Sequence, residues 1–223
     1  MKASPRPCCV AGLEIVGLLY AHFREERAKH VRKPGVYWVT DLVSCSLKRS
    51  LALKYPELEL AELFNPAAVL GFLVHAGLGQ LLARALEAEG ARVELEVESS
   101  LEVSLDPAAP GSGKAVVKGR ADAIVTTRDG ARYGVEVKTS RSDLSLPMEH
   151  HVDQARLYNL LFGFEKSYLL YVTPERIAQY EVAERASEEE IAKRIVEAKS
   201  PRYAWECRYC PFAVLCPSKK ITK

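Results

Sequence analysis

The apolar positions of this chain change period twice. Between positions 65 and 90 they recur at helical spacing, through Leu70, Leu73, Val74, Leu78, Leu81, Leu82 and Leu86, which predicts one long helix suited to a buried core position. From position 92 the period drops to two, with Val93, Leu95 and Val97 alternating with Glu94 and Glu96, and strands are expected at 92–97, 100–105, 115–126 and 132–139. Arg128-Asp-Gly130, between the last two, is a turn signal that predicts a hairpin. A linker over 140–147 leads to a second helix over 149–162, strands near 168–172 and 178–182, and a polar helix over 187–199. Ahead of the long helix, helical segments are expected over 13–30 and 39–55, the latter with Thr40 or Asp41 as N-cap and Cys45 at a helix start. Strands flanked by helices on both sides indicate an α/β domain with a mixed central sheet.

The long apolar segment has the length of a bilayer span, but Ala67–Leu86 carries His75, Gln80, Arg84 and several glycines, which favours a core helix. The apolar stretch at 8–20 is broken by Glu14 and lacks a cleavage signature, so no secretory leader is expected and a reducing, cytoplasmic location is. With 31 Lys and Arg against 29 Asp and Glu, the formal net charge is +2 and no global basic field advertises a nucleic-acid ligand. Local basic clusters exist at 24–33, at Lys48-Arg49 and at Lys219-Lys220 with Lys223, and each is also what an ordinary solvated surface looks like. Asn and Gln are scarce, a balance seen in proteins from hot environments, and Gln154 is conspicuous for it. There is no repeat, low-complexity tract or Gly-rich phosphate loop to suggest a nucleotide-driven motor.

The chemistry lies in the last two of the four consecutive strands. Asp122 sits in Lys118-Gly-Arg-Ala-Asp-Ala-Ile-Val125, and Glu136 with Lys138 sits in Tyr133-Gly-Val-Glu-Val-Lys-Thr139. Alternation points Glu136 and Lys138 one way while Val135 and Val137 pack into the core, and the hairpin folds Asp122 back towards Glu136. Two carboxylates beside a lysine are the minimum equipment for metal-assisted phosphodiester hydrolysis. The competing reading is a surface ladder of ion pairs, as for the second Glu-x-Lys of the chain, Glu197-x-Lys199, in its polar helix. Flanking Val, Ile and Gly argue for burial instead, and an acid is rarely buried without a partner or a metal. His75, mid-helix between Gly71 and Gly79, is either a satisfied core histidine or an imidazole ligand for a Mn²⁺-like ion. Gln154 and Tyr158 share one helix face, one turn apart.

The six cysteines form a second constellation. Cys207-Arg-Tyr-Cys210-Pro-Phe-Ala-Val-Leu-Cys216-Pro217 is a C-x₂-C-x₅-C-P run, and Cys45, in Thr40-Asp-Leu-Val-Ser-Cys-Ser-Leu-Lys-Arg-Ser50, is the best-placed fourth ligand. Spacing alone does not separate zinc from an iron–sulfur cluster, and disulfides are disfavoured in a reducing compartment. Adjacent Cys8 and Cys9 fit neither pattern. Ligation through Cys45 would join a lobe made of about 36–55 and 200–217 to a core of about 65–183, all within one domain over 1–223.

Together, from Cys45 to Pro217 and in order, these residues resemble the CRISPR-associated RecB-like iron–sulfur exonucleases, the fourth numbered Cas protein family. The motifs match as His75, Asp122 in Gly-Arg-Ala-Asp, Glu136-Val-Lys138 and Gln154-x-x-x-Tyr158, with Cys45, Cys207, Cys210 and Cys216 as cluster ligands. The resemblance implies a restriction-endonuclease-like core and an exonuclease acting on single-stranded DNA ends during CRISPR spacer processing, alongside other adaptation proteins. His75, Asp122 and Glu136, with the carbonyl of Val137, would hold Mg²⁺ or Mn²⁺; Lys138 would orient water, and Gln154 and Tyr158 would support it. The cluster would be structural, [4Fe–4S] by preference over [2Fe–2S]. Tyr203, Trp205 and Tyr209 would either stack bases or pack around the cluster. A RecB-type repair nuclease would keep every catalytic residue, whereas a non-catalytic DNA-binding module would be expected to break the acid–lysine set, which is intact. Oligomeric state leaves no mark on the sequence.

Overall fold

Among the residues described by the computed structural model (13–29, 32–106 and 113–220), six strands form one mixed sheet. They are β1 (Val36–Trp38), β2 (Arg92–Ser104), β3 (Lys114–Thr126), β4 (Arg132–Thr139), β5 (Lys166–Val172) and β6 (Ile177–Val182). The helices are α1 (Ile15–Lys29), α2 (Val39–Leu42), α3 (Ser46–Lys54), α4 (Pro66–Ala88), α5 (Glu149–Phe162), α6 (Glu188–Val196) and α7 (Glu206–Tyr209). Cys8, Cys9 and Lys223 lie outside the described residues. The chain divides into two units, Met1–Val31 and Arg32–Lys223. The first is described through α1, where Ile15, Val16 and Leu18 are exposed and Phe23 is buried. All that follows concerns the second.

The edges of β3 explain where the chemistry sits. β2 pairs antiparallel from Arg92↔Thr126 to Ser104↔Lys114, with a break in the ladder at Glu96 and Asp122. The other edge is shared: β1 runs parallel against Val116–Lys118, and β4 runs antiparallel against Ala123–Thr126. Residues 119–122 of β3 fall between the two and have no ladder partner there. The predicted hairpin joins β3 to β4, closed by the Thr127 amide donating to the Ala131 carbonyl at 3.0 Å, with Gly130 at φ 89° supplying the left-handed turn. β4 then crosses through α5 to parallel β5, and β6 closes the edge antiparallel.

Helices cover both faces. Leu157, Tyr158 and Phe162 of α5 join Val39 and Leu42 of α2, Ile191 of α6, and Val103, Val117 and Ile124 of the sheet in the main core. On the other side, Leu82 and Leu86 of α4 cover Ala123, Val125 and Val135.

Several expectations are corrected. The two strands at 92–97 and 100–105 are one strand, β2, because Ser99 and Ser100 continue the ladder against Gly119 and Lys118. α4 is where the periodicity put it, yet it is no core helix: none of its residues is fully buried, and Leu70, Phe72, Leu73 and Leu81 are exposed. Its apolar stripe is wider than the sheet face it meets. α4 has the length and hydropathy of a membrane-crossing helix, but Leu82 and Leu86 engage it with the sheet. The helix expected over 39–55 is two helices with Cys45 between them as N-cap of α3, and Asp41 caps nothing as N-cap; its carboxylate accepts the Trp38 amide at 3.0 Å. Strand β1, three residues long, is too short to show a period, and the 3-10 segment at Pro56–Phe64 does not follow the α-helical one.

Candidate active site and cysteine pocket

Where the β3 ladder stops, side chains take over the backbone groups. The Val137 amide donates to Asp122 Oδ2 at 2.8 Å, and the Asp122 amide donates to Glu136 Oε1 at 3.3 Å. The two acids therefore pin β3 to β4 just past their last pair, Ala123↔Val135. Glu136 is 2% exposed, so the reading of this trio as a surface ion-pair ladder fails. Glu197, by contrast, is solvated, with its carboxylate 4.0 Å from Lys193.

Around Glu136 the contacts form a closed set. Lys138 Nζ donates to Glu136 Oε2 at 3.1 Å and to Gln154 Oε1 at 2.9 Å, while Gln154 Nε2 donates to the same Glu136 oxygen at 3.1 Å. One turn along α5, the Tyr158 hydroxyl donates to the Arg120 carbonyl at 3.0 Å, inside the stretch of β3 that lacks a ladder partner. Gly119 makes that approach possible, since a Cβ there would lie 2.6 Å from the Tyr158 ring. From α4, His75 Nδ1 comes within 3.1 Å of Asp122 Oδ2. All six predicted residues, His75, Asp122, Glu136, Lys138, Gln154 and Tyr158, thus meet in one connected site, with the backbone of Val137 beside Asp122.

The electrostatics of the pair are asymmetric. Burial, and then the charge of Asp122, hold the Glu136 carboxyl well above the usual carboxylate range, only partly offset by Lys138. Burial also opposes ionisation of Asp122, but the hydrogen bond and charge of His75, with Lys138 and the Val137 amide, outweigh it and lower its pKa. Burial, reinforced by Glu136, pushes the Tyr158 hydroxyl far up, so it acts as a hydrogen-bond donor. Among the described residues no three His, Cys, Asp or Glu groups are drawn together as a ready cation cage. The donor chemistry nevertheless suits one: two carboxylates and a main-chain carbonyl are hard oxygen ligands, the imidazole a borderline nitrogen ligand, and a divalent cation would relieve the repulsion between the two acids.

Four free cysteines share one pocket, though they too are not drawn into a ready cage. Cys45, Cys207, Cys210 and Cys216 line one cavity of about 140 Å³ with Leu51 and Ala213, and none of the four is in a disulfide. Burial raises the Cys210 thiol, with Cys45 and Cys216 adding to it against the pull of Lys48. Four thiols that resist ionising together in one pocket suit a metal centre that accepts four thiolates. The Lys220 amide donates to Cys207 Sγ at 3.4 Å.

Sequence reading missed one organiser of this pocket. Glu206 accepts the amides of Cys45 at 2.8 Å and of Arg202 and Tyr203 at 2.9 Å each, tying residues 161 positions apart. Its only sequence signal is adjacency to Cys207. Nearby, the Ser46 amide donates to the Lys199 carbonyl at 3.0 Å. Of the basic clusters, Arg49 turns inward: it donates to the Val36 carbonyl at 2.7 Å and covers the Tyr37 ring at 3.8 Å.

Comparison with known proteins agrees with this geometry. The family model of the PD-(D/E)XK nuclease superfamily matches residues 72–217, which span both the acid–lysine site and the C-terminal cysteines. The chain is 40% identical over 199 residues to the CRISPR-associated exonuclease Cas4 of Saccharolobus solfataricus, covering 87% of this chain and 94% of that one. It is similar to the crystal structure of SSO0001, with a TM-score of 0.84 and 38% identity over 93% of this chain and 98% of that one.

Proposed function

The chain belongs to the PD-(D/E)XK nuclease superfamily and, within it, to the family of the CRISPR-associated exonuclease Cas4, and on that footing we propose that it hydrolyses single-stranded DNA from an end with Mg²⁺ or Mn²⁺. The observation that carries the reading is Glu136: a fully buried acid beside a second acid, kept in place by a lysine and an amide. Such a group is costly unless a cation is meant to join it. His75, Asp122, Glu136 and the Val137 carbonyl would hold the ion, which when bound supplies a lowered water pKa and neutralises phosphate charge. Lys138, fixed by both Glu136 and Gln154, presents its ammonium where charge builds on the phosphate oxygens. Gln154 positions Lys138, and Tyr158 holds the open stretch of β3 at Arg120 so that Asp122 keeps its aim.

The four cysteines would hold an iron–sulfur cluster, [4Fe–4S] by preference, whose part is structural: it joins the Cys45 segment to the C-terminal segment. The name of the 40%-identical relative supports a place in CRISPR spacer processing, with other adaptation proteins as partners, in the cytoplasm. The test is digestion of end-labelled single-stranded DNA with Mn²⁺. Glu136→Ala and Lys138→Ala are each expected to lose about a hundredfold or more in rate, while Lys199→Ala, in the solvated Glu-x-Lys, digests at the parent rate. Parent-like digestion by both site variants refutes the assignment.

A further inference from the structure

We propose that Trp205, His150 and Tyr203 form a stacking platform for a base of the single strand beside the phosphate being cut, an inference that rests on the nuclease reading above. His150 lies one helical turn before Gln154 on α5, so it continues the face whose amide holds Lys138. Its ring centroid is 5.0 Å from that of Trp205 and 5.7 Å from that of Tyr203. Tyr203 and Trp205 are themselves stacked at 5.9 Å with planes 15° apart. The cluster is braced from within: His150 packs on His151 at 4.0 Å, and His151 Nδ1 meets the Tyr171 hydroxyl at 2.7 Å. Trp205 nevertheless leaves 45% of its surface in water. A rigid, half-bared indole continuous with a phosphate-handling site is what a sequence-blind single strand uses, because every base has a π-face.

The imidazoles suit the task. Burial, then the charge of Lys138, lowers His150 to about 4, so it is uncharged at neutral pH. Trp205 also lines the cysteine cavity, which makes shielding of that cavity the competing role. His150 does not line it, so the two roles separate by substitution.

The chain has two tryptophans, Trp38 and Trp205, which makes stacking directly readable. Titrating oligo(dT) in the presence of a chelator is expected to quench the fluorescence of the parent and of Trp38→Phe, and to leave Trp205→Leu unquenched. With Mn²⁺, Trp205→Leu and His150→Ala are each expected to raise KM for single-stranded DNA roughly tenfold, with kcat held, and Trp205→Phe to restore most of it. Quenching that survives Trp205→Leu overturns the platform. So does a parent-like KM in His150→Ala together with loss of iron from Trp205→Leu, which assigns Trp205 to shielding. A parent that cuts no DNA yet shows Trp205-dependent quenching refutes the nuclease reading and leaves the platform standing.

Discussion

At the scale of single residues, the site is governed by one carboxyl. Burial and then Asp122 oppose ionisation of Glu136 and raise its carboxyl, with Lys138 offsetting only part of the shift. Linkage then fixes the sign. A raised carboxyl costs nothing at acid pH, where folded and unfolded chains both bind its proton. As pH climbs above the ordinary glutamate range the unfolded chain ionises freely and the fold does not, so stability falls towards neutral pH. His150 and His151 act in the opposite sense: their lowered values, about 4 and about 2, cost stability as pH falls below the ordinary histidine range. Asp122, lowered, loses its contribution only at more acid pH. Comparing two proteins cancels the histidines. In chelator, Glu136→Gln is therefore expected to exceed the parent in Tm at pH 8 by several degrees and to converge with it near pH 4, at about 2–4 °C per kcal/mol for a chain of this size. Mn²⁺ is expected to close the gap at pH 8 by raising the parent alone. A gap independent of pH in melting curves rules out the raised carboxyl.

At the scale of elements, close approaches set the aim of the site. On β4, a Cβ at Gly134 would lie 2.6 Å from the Phe164 ring and 2.7 Å from Ser167 Oγ; on β3, one at Gly119 would meet Leu161 and Tyr158, each at 2.6 Å. Gly134→Ala and Gly119→Ala are each expected to lose about 1–3 kcal/mol in denaturant unfolding, and Gly119→Ala also activity, because it displaces Tyr158 from Arg120. Gly77→Ala on α4, with open space around it, is expected to be neutral or stabilising. These positions also show what the sequence could disclose. Glu136 and Lys138 were legible because a strand has a period of two, and Gln154 with Tyr158 because a helix turn separates them. His75 was legible only as a candidate: nothing local shows that α4 lies against β3. The sharing of one β3 edge by β1 and β4 left no local trace either, though it is what hands the Asp122 and Val137 amides to the two acids. Glu96, opposite Asp122, adopts φ 53°, a left-handed kink that a glutamate does not announce. The width of the apolar stripe on α4 misled because amphipathicity reports that a face can be buried, not that it is.

At the scale of the whole chain, the cysteine pocket is where distant segments depend on one another. Cys45 precedes the other three cysteines by the length of the nuclease core, and Glu206 bridges the same interval with its two oxygens. Closing so long a loop is unfavourable in the unfolded chain, so whatever holds the thiols together also stabilises the fold. The four cysteines are therefore expected to behave as one unit. Replacing any of Cys45, Cys207, Cys210 or Cys216 with Ala should remove the bound iron and the visible absorption of anaerobically purified protein, and lower Tm. A Cys45→Ala, Cys210→Ala double variant should be little worse than either single one, since the first loss already dissolves the unit. Cys8→Ser and Cys9→Ser should change neither colour nor Tm. Glu136→Ala should keep its full complement of iron, because the two constellations share no residue. Glu206→Gln keeps one acceptor and turns the other into an NH2 facing a backbone N–H, and is expected to retain iron at a lowered Tm. Metal analysis decides the identity of the centre: zinc without iron in protein purified free of oxygen refutes the cluster, and iron that survives loss of a single cysteine refutes its four-thiolate ligation.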